Sequence, residues 1–505
     1  MTIETASHKE TSFSQENEAK NLHDDVWRGL DPDEFTALRA LGHRMLDDMF
    51  DRLETVRERK VWQPMPPAAR AEFQSPPPRA GIGAEAAYAA FQATVLPYEL
   101  GNTNPRFMGW VHGGGTAPGM LAELLAGALS NNLGGRDHAA VELERQVIRW
   151  SAAMLGLPPQ SGGGLVTGTS LANLIAVLTA RTHRLGAEVR QRGICGARLT
   201  AYTSTATHSC VPRAFDMAGF GWDSLRLIPV DADHRMDLTA LSAAIAADRA
   251  AGCTPFLVVG TAGTVDTGAI DKLPELAALC AAESLWFHID AAFGALLALS
   301  PTRATRLAGI EHADSVAFDF HKWAQVPYDA GCILVRDQAR LIAAFAQNAA
   351  YLRREARGLA GGAPWLCDLG PDLSRGFRAL KVWMTLVSHG TDALGQIVDH
   401  ACEVATHLAT RIAAEPRLEL LAPVSLNIVC FRYVPDHKIP QAKLDRLNAD
   451  IVADVQEAGL AAPSTTMIGG NLAIRCALFN HRTRAADADA LVDAVLHAAR
   501  VRENV

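Results

Sequence analysis

Residues 285–323 read LWFHIDAAFGALLALSPTRATRLAGIEHADSVAFDFHKW. Two apolar runs of strand character, LWFHIDAA (285–292) and SVAFDF (315–320), each lead to ionisable side chains. The first carries Asp290 near its end, and the second runs into His321 and Lys322. A carboxylate at that depth needs a partner, because burying an unpaired charge is costly. A protonated pyridine nitrogen, a neighbouring arginine or a backbone cap would each serve. A lysine at the end of an apolar strand is paired, reactive, or snorkels to the surface. If reactive, its desolvated amine has a lowered pKa and can form a Schiff base.

Outward from this stretch, the pattern repeats. LTAYTST (199–205), LRLIPV (225–230), PFLVVGTAG (255–263) and AGCILV (330–335) also read as strands. The runs 237–252 and 273–285 between them read as helices. Such alternation predicts βαβ units and a largely parallel sheet, with a site beyond the strands' carboxyl ends. After about residue 375 a long helical stretch leads into a second α+β pattern. LNIVCFRYV (426–434) and NLAIRCALF (471–479) read there as strands, and 444–460 and 488–501 as helices. At the other end, residues 1–22 read as a disordered tail. Leu38, Leu41, Met45, Met49 and Leu53 lie roughly on one helical face within 23–60. The proline-rich Pro64–Pro78 stretch reads as a linker or arm that cannot continue a helix. The expected organisation is a tail (1–22), an N-terminal arm (23–109), a large domain (110–390) and a small C-terminal domain (391–505).

Composition narrows the function classes. The 505 residues are 49% hydrophobic and 20% charged, as in an ordinary globular protein. Lys plus Arg total 47 against 55 Asp plus Glu, a net charge of −8 that disfavours nucleic acid as a partner. The nine cysteines are widely spaced with no C-x-x-C, which points to reduced thiols in the cytoplasm and to no metal cluster. No secretory signal or spanning apolar run is visible, so no membrane association is expected.

Two further motifs bear on chemistry. Gly162-Gly163-Gly164-Leu165-Val166-Thr167-Gly168-Thr169-Ser170 precedes a helical run, so its hydroxyls and free N–H groups suit a phosphate; a plain capped loop is the alternative. His208 follows a predicted strand and can stack on a flat ring or serve as a structural histidine. Taken together, a phosphate-type turn, His208, Asp290 and Lys322 match one cofactor, pyridoxal phosphate. Its phosphate would lie on the helix start, its ring on His208, its N1 against Asp290 and its aldehyde on Lys322.

With these motifs on the page, the chain resembles the group II pyridoxal-phosphate-dependent amino-acid decarboxylases, the family of aromatic-L-amino-acid, histidine and glutamate decarboxylases. FHIDAAFG (287–294) and SVAFDFHKW (315–323) carry the resemblance most specifically. NPRFMGWV (104–111), LSRGFRALKVW (373–383), LNIVCFR (426–432) and LAIRCALFNHRT (472–483) support it in order. It implies an α/β protein of fold type I, a mostly parallel sheet in a large domain, a small C-terminal α+β domain and an N-terminal helical arm. A homodimer with shared active sites is also implied. By the same resemblance Lys322 is the Schiff-base lysine, Asp290 the N1 partner and His208 the stacking residue. Ala292 lies on the opposite ring face, Thr169 and Ser170 at the phosphate, Thr264 at the cofactor and His321 beside the lysine.

The implied reaction is decarboxylation of an L-amino acid to the amine and CO2, with His321 as first candidate for the acid that protonates Cα. A water or a residue of a partner chain stands behind it. Phe107 and Trp110 can form an aromatic wall for an aromatic or bulky substrate, or belong to the core. Arg106 can meet an acidic side chain or form a surface ion pair. The family's mobile loop corresponds to 353–372, after Tyr351-Leu352, and no tyrosine lies within it. Members often carry a late tyrosine there, at a place that falls near Trp365 or Leu366. Members with phenylalanine at that place tend to form aldehydes, so an oxidative decarboxylase-deaminase or another lyase on the same cofactor is the rival reading. A non-catalytic cofactor-binding protein is a third. Asn104, Leu171, Val265 and Phe320 also depart from the family pattern and bear on substrate identity.

Overall fold

The protein is described from a computed structural model, which covers residues 29–347 and 353–503. The predicted tail and the Tyr351-Leu352 pair lie outside these residues.

Eleven strands form two sheets among the described residues. Seven of them are β1 (Gly162–Val166), β2 (Leu199–Ser204), β3 (Leu225–Ile228), β4 (Thr254–Thr261), β5 (Trp286–Asp290), β6 (Ser315–Asp319) and β7 (Gly331–Val335). Their order is β1-β7-β6-β5-β4-β2-β3. The run from β3 through β6 is parallel, and β7 is antiparallel to both β6 and β1. Six of the eight β4 residues are apolar (Pro, Phe, Leu, two Val, Gly), and seven of the eight are buried, as befits a strand covered by helices on both faces.

The second sheet holds β8 (Leu418–Leu420), β9 (Ile428–Tyr433), β10 (Ser464–Ile468) and β11 (Asn471–Ala477) in the order β10-β11-β9-β8, all antiparallel. The helices Gln441–Glu457 and Ala485–Glu503 pack on it. A helical stretch, Arg378–Ala413, links the two sheets and kinks at Gly390, whose φ is 77°. Among the described residues no helix is long and apolar enough to cross a membrane.

Three local expectations need correction. The triple glycine is an edge strand and only its far end is a turn. A Cβ on Gly163 would lie 2.0 Å from the Ile333 carbonyl oxygen, so the close β1–β7 approach requires glycine there. The Pro64–Pro78 stretch contains a short helix, Pro67–Glu72, with Pro67 at a first-turn position that needs no N–H donor. Of the predicted arm face, Leu41 alone is buried in the helix Thr36–Glu54, and Leu38 is exposed.

Candidate active site

The parallel strands aim their carboxyl ends at one edge, and a cavity of about 380 Å³ opens there. β5 ends on Asp290 and β6 on Asp319, with Lys322 one turn beyond. The loop after β1 leads into the helix Thr169–Leu185, so Gly168, Thr169 and Ser170 line the same cavity. His208 enters from the loop after β2. A Cβ on Gly331 would lie 2.4 Å from the Gly168 Cα, so β7 and the phosphate-type turn are held in direct backbone contact.

Lys322 and Asp319 form the central ion pair. The lysine Nζ lies 2.9 Å from Asp319 Oδ2, and the Thr169 backbone N–H donates to Asp319 Oδ1 at 2.8 Å. Burial would depress the amine, but the Asp319 carboxylate more than offsets it, and the lysine pKa is raised above 10.5. This corrects the expectation of a lowered amine. Burial likewise opposes ionisation of Asp319, yet Lys322 and His321 hold the carboxyl below its ordinary 3.8. In the protein without cofactor, the pair's stabilisation is present above the carboxyl's unfolded value of 3.8 and is lost as pH falls through the lower folded value. At the alkaline end it is full below the amine's unfolded 10.5 and lost as pH rises through the raised folded value. The Tm difference between wild type and Asp319→Asn is therefore expected to be largest between those limits. A difference that stays constant from acid to alkali argues against the pair.

The histidines here are neutral at physiological pH. Burial brings His321 down to about 4 and lowers His208 and His112. His321 Nδ1 accepts from the Ala330 N–H at 3.0 Å, which leaves its proton on Nε2, 3.6 Å from Asp319 Oδ2. The Tyr328 ring lies tilted against this imidazole, 4.2 Å between centroids. His208 Nδ1 accepts from the Cys210 N–H at 3.2 Å. Asp290 accepts on both oxygens: from the Ala292 N–H at 3.1 Å and from Asn173 Nδ2 at 2.9 Å.

Of the residues named from sequence, Lys322, His321, His208, Thr169, Ser170, Asp290, Ala292 and Trp110 all line this cavity. Two do not. The Thr264 hydroxyl is turned into its own loop, where it pairs with Thr267 Oγ1 (3.0 Å) and accepts from the Ala269 N–H (3.0 Å). The threonine of this stretch that lines the cavity is Thr261, at the end of β4. Phe107 is buried against Val61 and Ala462 behind Trp110, at 6.0 Å between rings. Asn104, in the same segment, donates instead to the Val56 and Arg59 carbonyls and ties down the arm. Arg106 lies beside Asp487.

Sequence reasoning missed His112, Asn173, Tyr328 and Arg475. The signal for Arg475 was a lone arginine inside an apolar strand; it lines the cavity and is anchored on the Val265 carbonyl at 2.9 Å, with no carboxylate among the described residues in hydrogen-bonding contact. The signal for Asn173 was its place one turn after Thr169 on the same helix face. Nothing in sequence marked His112 or Tyr328.

The donor set fits a flat aldehyde bearing a phosphate. Thr261 Oγ1 is buried in the wall without a hydrogen-bond partner among the described residues, as expected of a group awaiting a ligand oxygen. A carboxylate, a cavity-facing imidazole and a buried amine complete the set.

Comparison with known proteins agrees. The family model for the pyridoxal-dependent decarboxylase conserved domain matches residues 91–434. The aromatic-L-amino-acid decarboxylase of Bacillus atrophaeus is 30% identical over 449 residues, covering 88% of this chain and 92% of that protein. The crystal structure of Oryza sativa TDC with PLP and tryptamine superposes with a TM-score of 0.86 at 25% identity, over 94% of this chain and 100% of the other. The Rhodiola rosea 4-hydroxyphenylacetaldehyde synthase superposes with a TM-score of 0.82 at 25% identity, over 93% and 99%.

Proposed function

The chain belongs to the pyridoxal-dependent decarboxylase family, as a carboxy-lyase that uses pyridoxal phosphate on an amino acid, and from that premise we propose the residue roles and the substrate class. The observation that carries the proposal is the convergence of Lys322, Asp290, His208 and the Thr169–Ser170 helix start on one cavity. When bound, the cofactor supplies an aldehyde for the substrate's amino group and an electron-poor ring that accepts the electron pair left when CO2 departs. Lys322 is the amine that would hold that aldehyde, and Asp319 is the buried carboxylate that fixes its position through the ion pair. Asp290 is the counter-charge at the ring nitrogen, and His208 with Ala292 confines the ring between two faces. Thr169, Ser170 and Thr261 offer hydroxyls to ligand oxygens.

We propose an aromatic or bulky L-amino acid as substrate. The support is the aromatic rim of Trp110 and Tyr328, with Phe293 deeper and His112 beside it. Arg475, on the wall contributed by the small sheet, is suited to a substrate carboxylate. Proton return to Cα is assigned to the His321–Tyr328 pair. The imidazole has one transferable proton, on Nε2, and burial first and Asp319 second keep the phenol protonated.

The rival, aldehyde-forming reading is favoured by the lack of tyrosine in 353–372. Trp365 and Leu366, near the place where the family's tyrosine falls, are both buried. Trp365 lies between Arg136 and Arg354, each 4.3 Å from its ring. The two readings separate in a screen of the standard and common non-protein amino acids that follows CO2, amine, aldehyde, ammonia and peroxide together. Amine equimolar with CO2 is expected; stoichiometric ammonia and peroxide would establish the rival. Tyr328→Phe is expected to slow amine formation by about 10²-fold, the lower scale for a lost proton donor, and unchanged turnover rejects the assignment.

The domain division at residues 22, 109 and 390 stands as part of this proposal, and the kink at Gly390 supports its last boundary. A homodimer with shared active sites is proposed on the exposed Leu124, Leu125 and Leu129 of the helix Ala117–Leu129 together with the exposed Leu38 of the arm. A cytoplasmic location is proposed on the nine free thiols.

A further inference from the structure

Beneath Asp290 lies a row of buried polar side chains that the chemistry above does not use. The Trp286 Nε1–H meets Ser315 Oγ at 2.8 Å. Ser315 Oγ meets His288 Nδ1 at 2.8 Å, and His288 Nε2 meets Asn173 Oδ1 at 2.7 Å. Asn173 Nδ2 reaches Asp290 Oδ2 at 2.9 Å. All five residues are buried. Residues 286, 288 and 290 share one face of β5, and the β5–β6 register sets Ser315 opposite His288.

The direction of every hydrogen in this row follows from chemistry. An indole N–H only donates, so Ser315 Oγ accepts from Trp286 and passes its own hydrogen to His288 Nδ1. The imidazole proton is then on Nε2 and goes to Asn173 Oδ1, which turns the amide N–H toward Asp290. The other tautomer would let Nδ1 donate to the Ser315 carbonyl at 3.2 Å, but it would set the bare Nε2 against Asn173 Oδ1. Turning the amide over to relieve that clash would point its oxygen at the carboxylate. Burial first, against Asp290, holds His288 down at about 4, so the row carries no cation of its own. The Cys210 thiol, 3.9 Å from Asp290 Oδ2, is pushed up to about 12 by burial and remains a donor.

We propose that Asn173 and His288 are positioning residues for the reaction: the one-way row Trp286 → Ser315 → His288 → Asn173 → Asp290 aims donors at the carboxylate and so keeps the shared proton on the cofactor's ring nitrogen. The inference rests on the reading of Asp290 as the ring-nitrogen partner. Each donated hydrogen bond steadies the ionised carboxylate, the form that pairs with a protonated pyridine. Without them the negative charge beside the ring nitrogen is held less well, and the ring loses its capacity to accept electrons.

The test compares Asn173→Ala, His288→Phe and His288→Gln in the full-length protein. Glutamine can place an amide N–H near the position of His288 Nε2, whereas phenylalanine keeps the bulk without the donor. The readouts are the cofactor Kd by fluorescence titration, the pH at which the bound cofactor's absorbance titrates, kcat against KM, and the Tm of the cofactor-free protein. Asn173→Ala and His288→Phe are expected to raise the Kd about tenfold or more, the scale of a lost hydrogen bond to a charged group. They should also move the absorbance titration and lower kcat with little change in KM, and His288→Gln should restore most of each. Equal cofactor affinity and an unmoved absorbance titration in folded Asn173→Ala overturn the proposal. If that variant does not fold, equal behaviour of the two His288 variants overturns it instead. Wild-type protein that binds no pyridoxal phosphate would defeat the Asp290 reading itself, whereas normal wild-type binding with indifferent row variants defeats only this inference.

Discussion

The Lys322→Ala variant is expected to lose amine production by about 10⁴-fold or more, the scale on which removing a covalent nucleophile costs an enzyme. It should also lose the absorbance of covalently held cofactor. The position, as well as the amine, sets this residue apart from the other described residues of the cavity. Its Nζ is held at 2.9 Å by a carboxylate that is itself buried, so the group is kept in place and charged until a proton is drawn off. The alanine variant also leaves Asp319 buried without its cation, a loss on the order of 3–5 kcal/mol when a buried pair is broken. Lys322→Arg separates the two effects, since a guanidinium keeps a positive partner for Asp319 but cannot make the imine. Its activity is expected to fall as far as alanine's while its Tm stays nearer wild type. Retention of the cofactor's covalent absorbance by either variant would refute the role given to Lys322.

Asp290→Asn is expected to lower kcat/KM by about 10³-fold, comparable with loss of a strong electrostatic contact to the developing charge. Asparagine is close in size, so the cavity keeps its shape. It is neutral, so a proton on the ring nitrogen has no counter-charge. The effect should fall on kcat, with cofactor affinity weakened as well, and steady-state kinetics with a cofactor titration would check both. A variant that keeps its rate within tenfold would remove Asp290 from the mechanism.

Much of the scaffold was legible in the chain because buried parallel strands are short, continuous apolar runs. The strands β2 through β7 all appear as such runs, and the residues at or just past the ends of two of them, Asp290 and Lys322, stood out as charges where burial is expensive. β1 was not legible as a strand because three successive glycines offer no side chain by which to read a period. Thr261 and Thr264 sit three residues apart, on either side of the end of the predicted strand 255–263. Which of them faces the cavity depends on where β4 ends and the turn begins, a boundary drawn by pairing with β5. Phe107 and Trp110 were equally good candidates for an aromatic wall, and the contact of Phe107 with Val61 and Ala462 sends it into the core. Those partners lie far away in the chain, so no local pattern could choose between the two rings.

The chain by itself determined most of the order of α and β elements, the cofactor chemistry and the three groups proposed to serve it, Lys322, Asp290 and His208. These follow from local rules: an apolar run needs burial, and a charge or imidazole at its end needs a reason. Tertiary structure alone decided the charge on Lys322, the neutrality of His321, the arrival of Arg475 from the small sheet and the row of donors below Asp290. The physical reason is common to all four. A proton's affinity and a side chain's neighbour are set by what lies within a few ångströms in space, and those groups come from segments as distant in the chain as residues 173 and 288, or 319 and 475.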